Sequence, residues 1–213
     1  MSKITWTTAI EVRNLACRRG GRPVFEGLSF NLSSCGALVL KGPNGCGKSS
    51  TLRLLAGLLS ASAGGLYLNG SDNSAGTEEL GTNCHFYGHL TGLKTAMTVL
   101  ENITFWAELY GPAMAAAEAC GRMGLQKLLH LPVRILSDGQ RRRASFARLL
   151  VSDRPLWLLD EPSVGLDASS VERLDHLMAD HRARGGMVIA ASHLGLGLGD
   201  AQVIRLGGEA KAA

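Results

Sequence analysis

No stretch of this 213-residue chain approaches the run of about 18–20 apolar residues that a membrane-crossing helix needs. The Met1-Ser2-Lys3 start has no apolar segment behind it, which predicts no signal peptide and a cytosolic chain. Aromatic residues are scarce, 5% of the total, and they do not interleave with the basic ones. That argues against the stacking platform by which proteins hold single-stranded nucleic acid. Charge of one sign is also missing. Lys and Arg number 22 against 18 Asp and Glu, a formal +4, which suits an anionic ligand or membrane face but does not by itself argue for nucleic acid. The cysteines, Cys17, Cys35, Cys46, Cys84 and Cys120, are odd in number and none pair at C-x-x-C spacing. This excludes a c-type haem attachment motif and suits a reducing compartment better than a disulfide framework. Disorder is excluded by the 46% hydrophobic content, and the length suffices for one full core.

What the chain does contain is the loop Gly42-Pro43-Asn44-Gly45-Cys46-Gly47-Lys48-Ser49, followed by Ser50. It fits G-x-x-x-x-G-K-[ST], in which backbone N–H groups and a helix N-terminus converge on the phosphates of a nucleotide. Lys48 is placed to reach the outer phosphates, and the Ser49 hydroxyl to bind Mg²⁺. The context is right: an apolar strand over 37–40 and a helix from about residue 48. Cys46 lies in the loop at a helix N-terminus, where thiolate character is favoured; the expectation is that a thiol alkylator inactivates and MgATP protects. A second element, Leu156-Trp157-Leu158-Leu159-Asp160-Glu161, reads as a strand buried on both faces and ending in two acids. In phosphate-loop enzymes such a strand lies beside the phosphate-loop strand. Asp160 is then the metal-side carboxylate and Glu161 the general base.

The remaining pattern predicts paired strands over 9–32 around a turn at 18–23, and a strand at 65–68 entering an Asn69-Gly70 hairpin turn. A polar loop is expected over 71–81 and a short strand over 83–87. Thr98 and Glu101 form a capping-box pair opening a helix through about residue 110; further helices are expected from Pro112 to about 123 and from Ser137 to 151. Then come a helix over 170–184, strands over 187–191 and 202–206, and a loose tail. Strands alternating with helices argue for an α/β parallel sheet. Residues 1–90 and 152–213 read as a nucleotide-binding core with a β subdomain, and 91–151 as an inserted helical subdomain.

Leu136-Ser137-Asp138-Gly139-Gln140 stands at a helix start, shortly before the acidic strand. Ser137 there serves as an ordinary N-cap, but a cap does not explain Gly139-Gln140. With this segment the chain resembles the ABC-transporter ATPase family, whose signature is L-S-G-G-Q. The resemblance runs through the whole chain in order: the phosphate loop, the signature, Asp160-Glu161, a D-loop-like Ser163-Val164-Gly165-Leu166-Asp167, and His193 in the place of the switch histidine. It implies a phosphate-loop NTPase core of ABC type, α/β, with an antiparallel β subdomain and an inserted helical subdomain. It further implies ATP and Mg²⁺ as cofactors, and a head-to-tail dimer with ATP between the phosphate loop of one copy and Ser137, Asp138, Gly139 and Gln140 of the other. Glu161 and His193 are the catalytic pair, Ser49 and Asp160 the metal-side residues.

Within that family the runs 88–94 and 98–102 most resemble ATP-binding subunits of haem exporters for cytochrome c biogenesis. Such a subunit is peripheral, at the cytoplasmic face of the bacterial inner membrane, and drives separate integral-membrane subunits; no nucleic-acid partner is expected. An ATPase for another exported substrate, such as a lipid or drug, remains an alternative, and a non-transport ABC-type ATPase acting on nucleic acid a further one. Three positions depart from the family. Leu90 stands where a glutamine touching Mg²⁺ is usual, Arg19 where an aromatic stacks on adenine, and Asp138 where the signature has glycine. The last adds a negative charge near the sandwiched phosphates unless its side chain points away.

Overall fold

A computed structural model describes residues 6–74, 78–193 and 195–207. The chain divides into two units. The first holds residues 1–86, 154–162 and 178–213; the second holds 87–153 and 163–177.

The first unit contains both sheets. β1 (Ala9–Arg19) and β2 (Arg22–Ser33) form a long antiparallel pair, and β1 also pairs with β4 (Ala63–Leu68). Asn69 and Gly70, at φ 50° and 86°, make the expected tight turn into β5 (Ser71–Asp72). The expected loop over 71–81 is therefore shorter than the sequence suggests. Its start is a strand paired with Tyr67 and Leu68, and α2 (Glu78–Asn83) follows, with the Asn83 side chain donating to the Glu79 carbonyl.

The second sheet has the order β6-β7-β8-β3-β9, with β3 (Ala37–Lys41), β6 (Cys84–Tyr87), β7 (Leu156–Asp160), β8 (Met187–Ala191) and β9 (Gln202–Arg205). Every residue of β7 and β8 is buried, as continuous apolar runs in a covered parallel sheet should be. The acidic strand does not neighbour the phosphate-loop strand, as the sequence reading expected; β8 lies between them. α1 (Lys48–Leu55) restores the connection by packing on both β7 and β8. Register does the rest. Leu40 and Asp160 both pair with Ala191, so all three stand level across adjacent strands. The residues that follow them, Gly42 onward, Glu161 and Ser192-His193, emerge at the same carboxyl edge.

One buried titratable side chain holds this unit from below. His181, near the end of α6 (Ala168–Ala183), stacks on Trp157 at 4.1 Å and 11° and lies 5.2 Å from the Trp6 ring. Its Nε2 is 3.1 Å from the Pro155 carbonyl, which fixes Nε2–H as the tautomer and leaves buried Nδ1 without a partner. Burial pushes its pKa from 6.5 down to about 3. The unfolded chain therefore binds a proton near pH 6.5 that the folded chain refuses, so stability is lost as pH falls below 6.5 toward 3. His181→Leu should remove this component: between pH 6.5 and 5 the wild type loses about 1.5 kcal/mol more than the variant in urea titrations. Parallel curves for the two proteins would contradict it.

The second unit is helical: α3 (Val99–Tyr110), α4 (Ala116–Arg122), α5 (Asp138–Leu150) and the first part of α6. The Thr98–Glu101 capping box forms as expected. Buried Asn102 ties the preceding loop to α3, accepting from Lys94 N–H at 2.7 Å and donating to the Thr98 carbonyl at 2.9 Å. α4 begins four residues later than its proline suggests, because the Ala113 amide donates to the Val151 carbonyl instead of entering a helix. The tail beyond Gly207 lies outside the described residues.

Candidate functional site

The loop after β3 is shaped by close approaches that only glycine permits. Gly42 has φ 145°, and a Cβ there would lie 2.3 Å from the Leu206 carbonyl oxygen and 2.8 Å from Cys46 Sγ. At Gly47, φ 105°, a Cβ would sit 2.9 Å from both Val24 and Phe25. Gly47 is also the N-cap of α1, with its carbonyl accepting from Thr51 N–H at 2.8 Å and from the Thr51 hydroxyl at 3.0 Å. The amides of the first turn of α1 are thus left pointing at the loop, the arrangement that receives a phosphate. Pro43, Asn44 and Gly45 are exposed, while Ser50 is buried.

Cys46 corrects the sequence reading. It is buried, 9% exposed, with Sγ against Gly42 and Cβ against Gly207. With the side chain buried between Gly42 and Gly207, ready alkylation is no longer expected. Cys17, Cys84 and Cys120 are buried as well, and burial pushes Cys84 and Cys120 up to about 11.

Five chemically active side chains meet at the carboxyl edge. The Ser49 hydroxyl donates to Asp160 Oδ1 at 3.0 Å. Asp160 is 2% exposed, and its Oδ2 is buried with no hydrogen-bond partner. A buried carboxylate oxygen left unpaired is costly, and a hard cation held by one hydroxyl, one carboxylate and phosphate oxygens satisfies it. The residues present fit Mg²⁺. Glu161, at φ 49°, is held by its N–H to the Ala191 carbonyl at 2.9 Å. A left-handed glutamate is a strained position of the kind that collects at active sites. Its Oε2 accepts from His193 N–H at 3.4 Å, and its Oε1 is 3.5 Å from His193 Nε2. The same Nε2 is 2.9 Å from Lys48 Nζ and 3.1 Å from Asn44 Oδ1. Lys48, Ser49, Asp160, Glu161 and His193 are therefore brought together within the first unit.

The signature residues lie in the second unit, at the start of α5. Ser137 Oγ accepts from Gln140 N–H at 3.3 Å, and Gln140 Oε1 accepts from Ser137 N–H at 2.9 Å, a reciprocal capping box. A Cβ on Gly139 would meet nothing nearer than the Gly165 carbonyl oxygen at 3.9 Å. Asp138 is turned to Arg141, 2.6 Å away, and that guanidinium holds its carboxyl below the usual range. Its charge is answered on its own helix. Leu90 is 89% exposed and carries no group that could meet a metal. Arg19 is exposed at the end of β1; the sequence pattern gave no signal for Val24 and Phe25, the residues that actually flank Gly47.

The sequence matches the family described as ABC transporter over residues 25–164. The Cytochrome c biogenesis ATP-binding export protein CcmA of Paramagnetospirillum magneticum is 46% identical over 204 residues, covering 93% of this chain and 94% of its own. The protein of the same description from Mesorhizobium japonicum is 49% identical over 196 residues, covering 91% and 96%. Among solved structures, an ATP-binding subunit of an ABC transporter superposes with TM-score 0.80 at 24% identity, over 92% of this chain and 85% of the other. A bacterial Atm1-family ABC exporter with ATP bound gives 0.81 at 20% identity, over 95% of this chain and 38% of the other. These two likenesses establish the fold.

Proposed function

We infer that this chain, which belongs to the ABC transporter family and within it to the cytochrome c biogenesis ATP-binding export proteins, is the ATP-hydrolysing subunit of a transporter that moves haem or a haem-linked substrate for c-type cytochrome assembly. The observation that carries the hydrolytic reading is the convergence of Ser49, Asp160, Glu161 and His193 beside the glycine-shaped loop. Loop amides and Lys48 bind the phosphates. Ser49 and Asp160 would hold Mg²⁺, which would neutralise charge on the phosphate oxygens. Glu161 takes the proton of the attacking water, and His193 fixes the orientation of that carboxylate. The Ser137 helix start completes the site of a second copy, with Gly139 leaving its approach open. The test is genetic and visible. In a bacterium lacking its own such subunit, this chain should restore haem-stained c-type cytochromes, and a Glu161→Gln copy should not. Restoration of another export activity without cytochromes would favour the alternative substrate.

Separate membrane subunits are the partners this reading implies; no helix among the described residues is itself long and apolar enough to cross a membrane. The chain then works as a peripheral protein on the inner membrane's cytoplasmic face. The second unit offers a suitable surface: a largely apolar groove of about 370 Å³ lined by Met97, Leu100, Glu101, Thr104, Phe105 and Glu108. Leu100 is the second residue of α3, where an acid suits the helix dipole. Leu100→Asp should therefore leave the fold and basal hydrolysis nearly unchanged. Partner-stimulated hydrolysis should fall about tenfold, because docking would bury an unpaired charge. Stimulation equal to wild type would remove this groove from the interface.

A further inference from the structure

An ammonium has three hydrogens to donate, and all three of Lys48 are used. Nζ donates to the Gly42 carbonyl at 2.8 Å, to the Pro43 carbonyl at 3.1 Å and to His193 Nε2 at 2.9 Å. The side chain is 7% exposed. A phosphate oxygen that is to pair with Lys48 must therefore displace one of these acceptors. The two carbonyls belong to the loop backbone, and Gly42 is wedged beneath the Leu206 carbonyl. His193 is different: its side chain is 46% exposed and is held only by contacts at its tip and its backbone N–H.

The Lys48 contact sets the tip, where Glu161 Oε1 also lies 3.5 Å from Nε2. If Nε2 accepts from Lys48, it carries no proton, and the ring is neutral with its hydrogen on Nδ1. Nε2 then has no hydrogen for Asn44. The Asn44 amide must be turned so that its NH₂, not its oxygen, faces the ring; the two are interchangeable in shape. Lys48 and Asn44 thus both point their hydrogens at one imidazole nitrogen, 145 and 149 residues away in the chain.

We propose that His193 is a built-in plug of the phosphate loop, an internal ligand that occupies the phosphate-binding donors of Lys48 and Asn44 and must swing out before the β-phosphate of a nucleotide can take them. This rests on the reading of 42–49 as the nucleotide loop, and it adds a role before chemistry to the residue beside Glu161. The plug lowers affinity for any nucleotide, including one without a γ-phosphate. It sets a threshold that a weak phosphate ligand does not cross.

ADP separates this role from catalysis, because it lacks the γ-phosphate that His193 serves during hydrolysis. ADP binding is measured by calorimetry on the wild type, His193→Ala, His193→Gln and Lys48→Ala, each checked for an unchanged circular dichroism spectrum. His193→Ala should bind ADP about tenfold more tightly than wild type, the value of one hydrogen bond to a charged group. It should hydrolyse ATP more slowly. His193→Gln, whose amide oxygen can still accept from Lys48, should bind ADP within about threefold of wild type. Unchanged or weaker ADP binding by His193→Ala overturns the plug, and so does a His193→Gln variant as tight as His193→Ala. If wild type itself fails to bind ADP, the loop reading falls first, an outcome that these variants keep distinct.

Discussion

Glu161→Gln is expected to lower ATP turnover by about a hundredfold or more while leaving ATP binding nearly intact. The amide has the shape of the carboxylate and keeps an oxygen for the His193 N–H, the contact now made by Oε2 at 3.4 Å. The backbone contact to the Ala191 carbonyl is untouched by the substitution, so the residue stays at φ 49°. What is lost is the ability to take a proton, since a neutral amide has no useful basicity near pH 7. The measurement is steady-state phosphate release beside ATP binding under identical conditions. A variant that retains a tenth or more of wild-type turnover would take Glu161 out of the base role and leave water activation to His193. Binding lost together with turnover would instead mean that Glu161 holds the loop in shape.

The parts of the site legible in the sequence are those with local causes. The helix starts were readable, Thr98 as a capping box and Ser137 as an N-cap, because caps are a few residues of chemistry; both form, and Gln140 makes the second a full box too. Fully buried β7 and β8 were readable as unbroken apolar runs. What the sequence concealed depends on residues far apart. The intrusion of β8 between β3 and β7 follows from sheet order, which no local pattern encodes. Cys46 looked reactive by position, but it is buried, with Gly207, 161 residues later, packed against its Cβ. Asp138 looked like a misplaced charge until Arg141, three residues on, turned toward it at 2.6 Å; that pairing was within helical reach and could have been foreseen. The delayed start of α4 is likewise set by residues far apart, through the bond from Ala113 to Val151.

Lys48→Ala is expected to weaken ADP and ATP binding by roughly a hundredfold, read by the same calorimetric titration. Two effects of opposite sign meet in this variant. Removing the ammonium frees His193 from its 2.9 Å contact, so the plug keeps only its hold on Asn44. It also removes the only cationic partner the described loop residues offer the phosphates, and strips a donor from the Gly42 and Pro43 carbonyls. The loss should dominate, because a charge-assisted bond to phosphate is worth about twice a neutral one while the plug's hold on Lys48 is a single exchanged contact. The double variant Lys48→Ala with His193→Ala makes the balance measurable. If His193 acts on nucleotide binding through Lys48, removing it in the absence of Lys48 should gain much less than the tenfold expected in the wild-type background, and the two substitutions should couple. A full tenfold gain in both backgrounds would show that His193 obstructs the loop by bulk alone. Binding unaffected by Lys48→Ala would place the phosphates elsewhere than over Gly42–Ser49.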